Sequence, residues 1–152
     1  MRDIIAQAQS GTGKTGLFVI GALQLIDAQL KEPQVIILAP TRELAEQSYN
    51  VAKNLSNFMD VEVILLKGGT SVSANKKDLL EKKPQLCIGT PGRIQDMIRR
   101  QCLKIKSLKT LIIDEADEML SQGFKEQMYK IFNAMPDTIQ IGLFSATMPA
   151  EL

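Results

Sequence analysis

Six short runs of nearly unbroken aliphatic residues constrain this 152-residue chain more than any other feature. They lie at Asp3–Ala8, Gln34–Ala39, Val61–Leu66, Leu86–Gly89, Thr110–Asp114 and Gln140–Phe144. A strand with one wet face alternates apolar and polar residues. A run such as Val35-Ile36-Ile37-Leu38 does not, so both of its faces must be covered. Between the runs, apolar residues recur at helical spacing. Leu44, Ser48, Val51, Ala52 and Leu55 form one stripe, and Phe124, Met128, Ile131, Phe132 and Met135 form another. Gly13–Leu30 is apolar on most sides and is expected to form the most buried helix. Strand–helix alternation over this length predicts one α/β domain: a parallel central sheet with right-handed crossovers and helices on both faces. Ligands of such sheets bind beyond the carboxyl ends of the strands. Function is therefore to be sought in the six turns that follow the runs.

Composition narrows the classes. The chain is 45% apolar and 23% charged, enough for one core in an ordinary soluble domain. No apolar segment approaches the roughly 18 residues a membrane helix needs. The opening Met1-Arg2-Asp3-Ile4-Ile5 lacks the apolar stretch of a secretory signal. These points predict an intracellular protein with no membrane partner. The net charge of +1 supplies no global attraction to nucleic acid, so any such contact must be local. Histidine is absent, and only Cys87 and Cys102 remain as soft ligands, which argues against zinc. The two cysteines read as reduced thiols, with Cys87 in the core.

The first turn reads Ala8-Gln9-Ser10-Gly11-Thr12-Gly13-Lys14-Thr15. It follows a strand and opens a helix, the context a phosphate loop requires. Glycines allow the backbone to curl until several N–H groups converge on one phosphate, and the helix N-terminus adds partial positive charge. Lys14 can reach the β- and γ-phosphates, and the Thr15 hydroxyl can ligate magnesium. With alanine allowed at its first position, the pattern arises by chance in roughly one per cent of chains this long. The fifth run ends Asp114-Glu115-Ala116-Asp117. Asp114, at the tip of a buried strand, is placed to serve magnesium, and Glu115 to orient and deprotonate an attacking water. An acidic helix start is the plainer reading of these acids, but it does not explain their coincidence with a phosphate loop.

Two further turns share a design. Pro40-Thr41-Arg42 and Thr90-Pro91-Gly92-Arg93 each set a helix N-terminus and an arginine at the ligand edge. Thr41 and Thr90 are good N-caps, and Pro91 suits a first helical position. Such turns suit the phosphates of an extended strand, although ordinary capped helices with surface arginines read the same way. Gly68-Gly69 would let a backbone pass close by. Ser145-Ala146-Thr147 brings hydroxyls that could bond Asp117 and tie the nucleotide site to the rest of the domain, or could form a simple capping turn.

Taken in order, AQSGTGKT at 8–15, PTRELA at 40–45, Gly68-Gly69, TPGR at 90–93, DEAD at 114–117 and SAT at 145–147 resemble the N-terminal RecA-like domain of DEAD-box RNA helicases. The resemblance spans the whole chain and accounts for Ala8, since that family begins its loop with alanine. The stretches DEADEML and GFKEQMYKIF are most similar to the translation initiation factor 4A group.

The resemblance implies an ATP hydrolase acting on RNA. Ala8 to Thr15 would bind ATP, Lys14, Asp114 and Glu115 would carry the chemistry, and Thr15 and Asp114 would hold Mg2+. Pro40, Thr41, Arg42, Gly68, Gly69, Thr90 and Arg93 would hold the backbone of single-stranded or duplex RNA. Asp117, Ser145 and Thr147 would couple ATP state to RNA grip. It also implies an adenine-recognising segment upstream and a second RecA-like domain with arginine fingers. The chain is accordingly expected to be a nearly inactive, monomeric fragment of a cytoplasmic protein, with the nucleus as the alternative and a helical scaffold protein as a partner. Two rivals compete. A GTPase would read guanine with Asn-Lys-x-Asp; Asn75-Lys76-Lys77-Asp78 has that spelling but lies between the third and fourth runs, far in sequence from both the phosphate loop and the acidic turn, and a small kinase would need a basic lid, for which no segment is left over. A non-catalytic binding module in a translation or mRNA-processing assembly is the other.

Overall fold

The computed structural model describes residues 2–8, 13–121 and 123–147. The six apolar runs are strands: β1 (Ile4–Gln7), β2 (Val35–Leu38), β3 (Val63–Leu66), β4 (Leu86–Gly89), β5 (Thr110–Asp114) and β6 (Gln140–Ser145). Helices α1 (Lys14–Leu25), α2 (Arg42–Leu55), α3 (Val72–Lys82), α4 (Pro91–Arg99), α5 (Ala116–Met119) and α6 (Lys125–Ala134) fill the connections. All strand pairs are parallel, in the order β1-β6-β5-β2-β4-β3.

Successive side chains of a strand point to opposite faces, and two cores follow from that alternation. Val35, Ile37, Leu86, Ile88 and Ile112 turn to one face, where Phe18, Val19, Ala22 and Leu23 of α1 and Ala52 of α2 cover them. Ile36, Leu38, Cys87, Leu111 and Ile113 turn to the other, against Leu79, Ile94, Met97, Met119, Met128 and Ile131 from α3 to α6. Phe18 and Phe144 meet at a ring separation of 5.3 Å. Cys87 is fully buried, burial pushes its thiol far up, and both cysteines are free.

Three expectations need correction. The helix expected over Gly13–Leu30 ends at Leu25, and Ile26 turns into extended backbone. Although α1 contributes five buried residues, its outer side, with Leu17 and Ile20, faces solvent. In α2 the buried positions are Ala45, Ser48 and Ala52, while Leu55 at the last turn is exposed.

Residues 26–33 leave the helix because Gln34 offers their backbone other partners. Fully buried at the head of β2, its Oε1 accepts from the Asp27 N–H at 2.8 Å. Its Nε2 donates to the carbonyls of Asp27 at 2.9 Å and Leu30 at 2.8 Å. Gln85, equally buried, accepts from the Glu62 N–H at 2.8 Å and donates to the Ala28 carbonyl at 3.3 Å. These glutamines close the amino-end loops, leaving the carboxyl edge for ligands. A buried polar group stripped of its partner costs about 1–3 kcal/mol. Gln34→Leu is therefore expected to lower unfolding free energy by about 2–3 kcal/mol in urea titrations.

Candidate functional site

The strand order sets the six turns side by side. The turns after β1, β6 and β5 carry the phosphate loop, Ser145–Thr147 and Asp114–Asp117. Those after β2, β4 and β3 carry Pro40–Arg42, Thr90–Arg93 and Gly68-Gly69. Adjacent strands lie about 4.8 Å apart. One edge of the sheet thus holds both groups, nucleotide-type turns on one half and arginine-bearing turns on the other.

On the first half, Ala8 follows β1 and its N–H bonds the Ser145 carbonyl at 3.0 Å. Gln9, Ser10, Gly11 and Thr12 lie outside the described residues. Gly13 caps α1 in the left-handed region (φ 80°), where glycine carries no penalty. Lys14 is buried at the first turn of α1 and reaches across to β5. Its Nζ lies 2.8 Å from Asp114 Oδ1 and 2.7 Å from Glu115 Oε1. Asp114 is the last residue of β5 and only 2% exposed. Burial is the strongest influence on it and raises its carboxyl above the ordinary range, against the pull of Lys14. For Lys14, burial opposes the charge most strongly, but the two carboxylates together outweigh it, so the ammonium titrates above its usual value. Glu115 sits at φ 50°, ψ 53°, a conformation few residues without glycine's freedom adopt, and its backbone N–H bonds Asp114 Oδ1 at 2.9 Å. Gly13, Lys14, Thr15, Leu44, Gln47, Asp114 and Glu115 together line a polar hollow of about 340 Å³. Leu44 and Gln47 enter it from α2, a neighbour that only the strand order reveals.

Beside this hollow, Asp117 is tied to β6. Thr147 Oγ1 donates to Asp117 Oδ2 at 2.6 Å, and the Asp117 N–H donates to Ser145 Oγ at 3.3 Å. The Thr147 hydroxyl first, aided by Ser145, holds the Asp117 carboxyl below the usual range. A lowered carboxyl favours the fold above the ordinary carboxylate range and loses that contribution as the pH falls through its folded pKa. The tie is therefore complete at neutral pH.

The second half is a cleft of about 700 Å³. Pro40, Thr41, Arg42, Gly68, Thr90 and Arg93 line it, together with Glu43, Asp96 and Phe124. Thr41 Oγ1 caps α2 by accepting from the Leu44 N–H at 3.1 Å. Thr90, expected to do the same for α4, holds the cap position without a side-chain bond, so its hydroxyl is not committed to the helix. At the glycine pair, a side chain of this chain lies in the notch. A Cβ on Gly69 (φ 87°) would stand 2.8 Å from Arg42 Nη1, and one on Gly68 3.0 Å from Arg42 Nη2. Two missing Cβ atoms let the Arg42 guanidinium lie against the turn after β3. Arg93 turns toward the same loop, where Thr70 and Asn75 hold it. Neither partner was picked out from the sequence. The signal for Asn75 was a polar residue on the stripe Val72, Asn75, Leu79, which packs against the sheet.

A parallel sheet with a glycine-led helix start after β1 and a buried aspartate ending β5 defines a phosphate-loop nucleotide-binding domain. The paired arginine turns narrow that class, and comparison with known proteins fixes it. The chain belongs to the DEAD/DEAH box helicase family, whose pattern matches residues 1–152. It is 53% identical over 150 residues to the ATP-dependent RNA helicase eIF4A of Neosartorya fischeri, covering 99% of this chain and 37% of that protein. A DEAD box protein from the hyperthermophile Methanococcus jannaschii superposes with a TM-score of 0.91 at 41% identity, over 99% of this chain and 41% of that one. Saccharomyces cerevisiae Dbp5 bound to RNA and ADP BeF3 superposes at 0.88 with 35% identity, over 99% of this chain and 37% of that one. The chain thus spans little more than a third of the length of the curated relatives it matches. The RecA-like fold and family inferred from the motifs stand.

The buried ion triad yields a test. Removing one partner of a buried pair costs about 3–5 kcal/mol. Lys14→Met leaves Asp114 and Glu115 facing each other without a cation. It is expected to destabilise the chain by about 3 kcal/mol at pH 7. Without Lys14, the Asp114 carboxyl rises further, so the folded variant takes up a proton before the unfolded chain does. Its deficit should then shrink as the pH falls toward the carboxylate range. Urea unfolding at neutral and mildly acidic pH reads both effects.

Proposed function

We propose that this chain is the ATP-binding part of an ATP-dependent RNA helicase, coupling ATP binding and hydrolysis to RNA binding and local duplex unwinding. The observation that carries this reading is the single sheet edge, on which a phosphate-type half and an arginine-bearing half share β5 and β2 as neighbours. Family membership supports it, and so does the likeness to Dbp5 bound to RNA and ADP BeF3.

In this reading the hollow between α1 and β5 takes the triphosphate. Lys14 turns its ammonium from the two carboxylates to the β- and γ-phosphates. The Thr15 hydroxyl and Asp114 carboxylate are hard oxygen donors, and one or two carboxylates with substrate phosphates are what Mg2+ asks of a protein. Bound there, the ion would neutralise charge on the phosphate oxygens. Glu115 takes a proton from a water as its oxygen attacks the γ-phosphorus and the bond to the departing ADP breaks. Asp117, through Thr147 and Ser145, passes the state of this site to β6. Arg42 and Arg93 hold successive phosphates of RNA, with Thr41 and Thr90 beside them at two helix N-termini. None of these contacts reads a base, so binding is indifferent to sequence.

Two expectations test the proposal. Each phosphate contact to single-stranded RNA contributes about 0.7 to the log–log salt slope of affinity. Arg42→Ala combined with Arg93→Ala should flatten that slope by about 1.4 and weaken binding at least about tenfold at low salt. Fluorescence anisotropy with a short oligouridylate reads both. An unchanged slope and affinity would remove the two arginines as contacts. An arginine finger from another domain contributes about 10³–10⁵ in rate. The 152-residue chain alone should accordingly show almost no RNA-stimulated phosphate release. Robust stimulation would mean that it carries a complete catalytic site.

A further inference from the structure

The arginines on the carboxyl edge are held differently from others nearby. Arg99 and Arg100 both spend their charge on Asp96, at 2.6 and 2.9 Å. Arg93, one turn before Asp96 on the same helix, does not. Among the described residues, no carboxylate lies within ion-pair reach of it. Its Nη1 donates to Asn75 Oδ1 at 2.5 Å and to Thr70 Oγ1 at 3.3 Å, and its Nη2 donates to the Thr70 carbonyl at 2.9 Å. All three acceptors are neutral. Thr70 is itself oriented, since its hydroxyl donates to the Lys67 carbonyl at 2.7 Å. Asn75 is 5% exposed in α3, with its backbone N–H bonded to the Ser71 carbonyl.

A guanidinium has five N–H donors. Three are occupied here, so the side chain is fixed with donors to spare. The charge is neither neutralised nor left to wander. A carboxylate in place of Asn75 would fix the arginine equally well and cancel the charge a phosphate needs. A surface arginine with no buried partner would keep its charge, but ordering it on binding would cost rotamer freedom.

We propose that Asn75 is a positioning residue for RNA binding. Its buried amide holds Arg93 toward the cleft without pairing its charge, and this neutrality makes Arg93 a phosphate contact. The inference rests on the RNA reading above. It goes beyond that reading by placing a determinant of RNA grip on α3, outside the motif turns.

Two near-isosteric variants separate charge from geometry in the full-length protein, with a short oligouridylate as probe and thermal melting as the check on folding. Asn75→Asp keeps the hydrogen bond and adds a negative charge. It should weaken RNA binding severalfold and flatten the log–log salt slope by about 0.7, as if one phosphate contact were lost. In an Arg93→Ala background the same change should do nothing further. Asn75→Leu removes the acceptor but leaves the charge, so affinity should fall while the slope stays.

If Asn75→Asp retains wild-type affinity and slope while Arg93→Ala weakens binding, the proposal fails and the RNA reading stands. If Arg93→Ala changes nothing, Arg93 is no contact, and both fail. The wild-type protein offers an independent readout. Nitrogen NMR of Arg93 should show hindered guanidinium rotation before RNA is added, and freely averaged signals would overturn the proposal without any variant.

Discussion

Parallel pairing is the constraint on which everything else depends. Antiparallel strands would send alternate carboxyl ends to opposite edges. Six parallel strands send every turn to one edge, so segments up to 139 residues apart in sequence meet there, as the Gln7 side chain meets the Ala146 carbonyl. The pairing holds because helices cover both faces of the inner strands, where β2, β4 and β5 are buried along their whole length, while the edge strand β1 leaves Ile4 and Ile5 exposed. The cores and the function therefore share one cause. The residues that make strands such as β2 uniformly apolar also force parallel crossovers, and the crossovers gather the polar turns.

How much of this was legible depended on whether a feature is local. The strands were legible because an unbroken run such as Leu111-Ile112-Ile113 carries its own signature of burial. The helix start at Gly13–Thr15 and the acidic turn at the end of β5 were legible because their residues are contiguous. Strand order was not, since β1 beside β6 joins the two ends of the chain and no short-range pattern encodes that. The ion triad shares the difficulty. Lys14 and Asp114 each looked like separate phosphate or metal ligands, and only the sheet shows that they hold one another.

The second half of the edge was read less fully, for the same reason. Gly68-Gly69 looked like a path for an approaching backbone because glycine leaves space, and sequence does not say what fills it. Arg42, from the start of α2, fills it. Asn75 and Gln34 were passed over because a buried polar residue is recognised by its partners, and those partners are backbone groups or side chains from other elements. The helix expected over Gly13–Leu30 was drawn too long for a related cause. Its apolar residues continue past Leu25, but the hydrogen-bonding offered by Gln34 ends it.

The backbone at Glu115 carries a consequence of a different kind. A side chain held at φ 50°, ψ 53° pays a conformational penalty of about 1 kcal/mol that glycine or asparagine would largely avoid. The proposed reaction asks for a carboxylate there, at the expense of the turn. In that reaction stability and turnover favour different amino acids at a single position. Glycine in its place would relax the turn and, in the proposed reaction, silence the site.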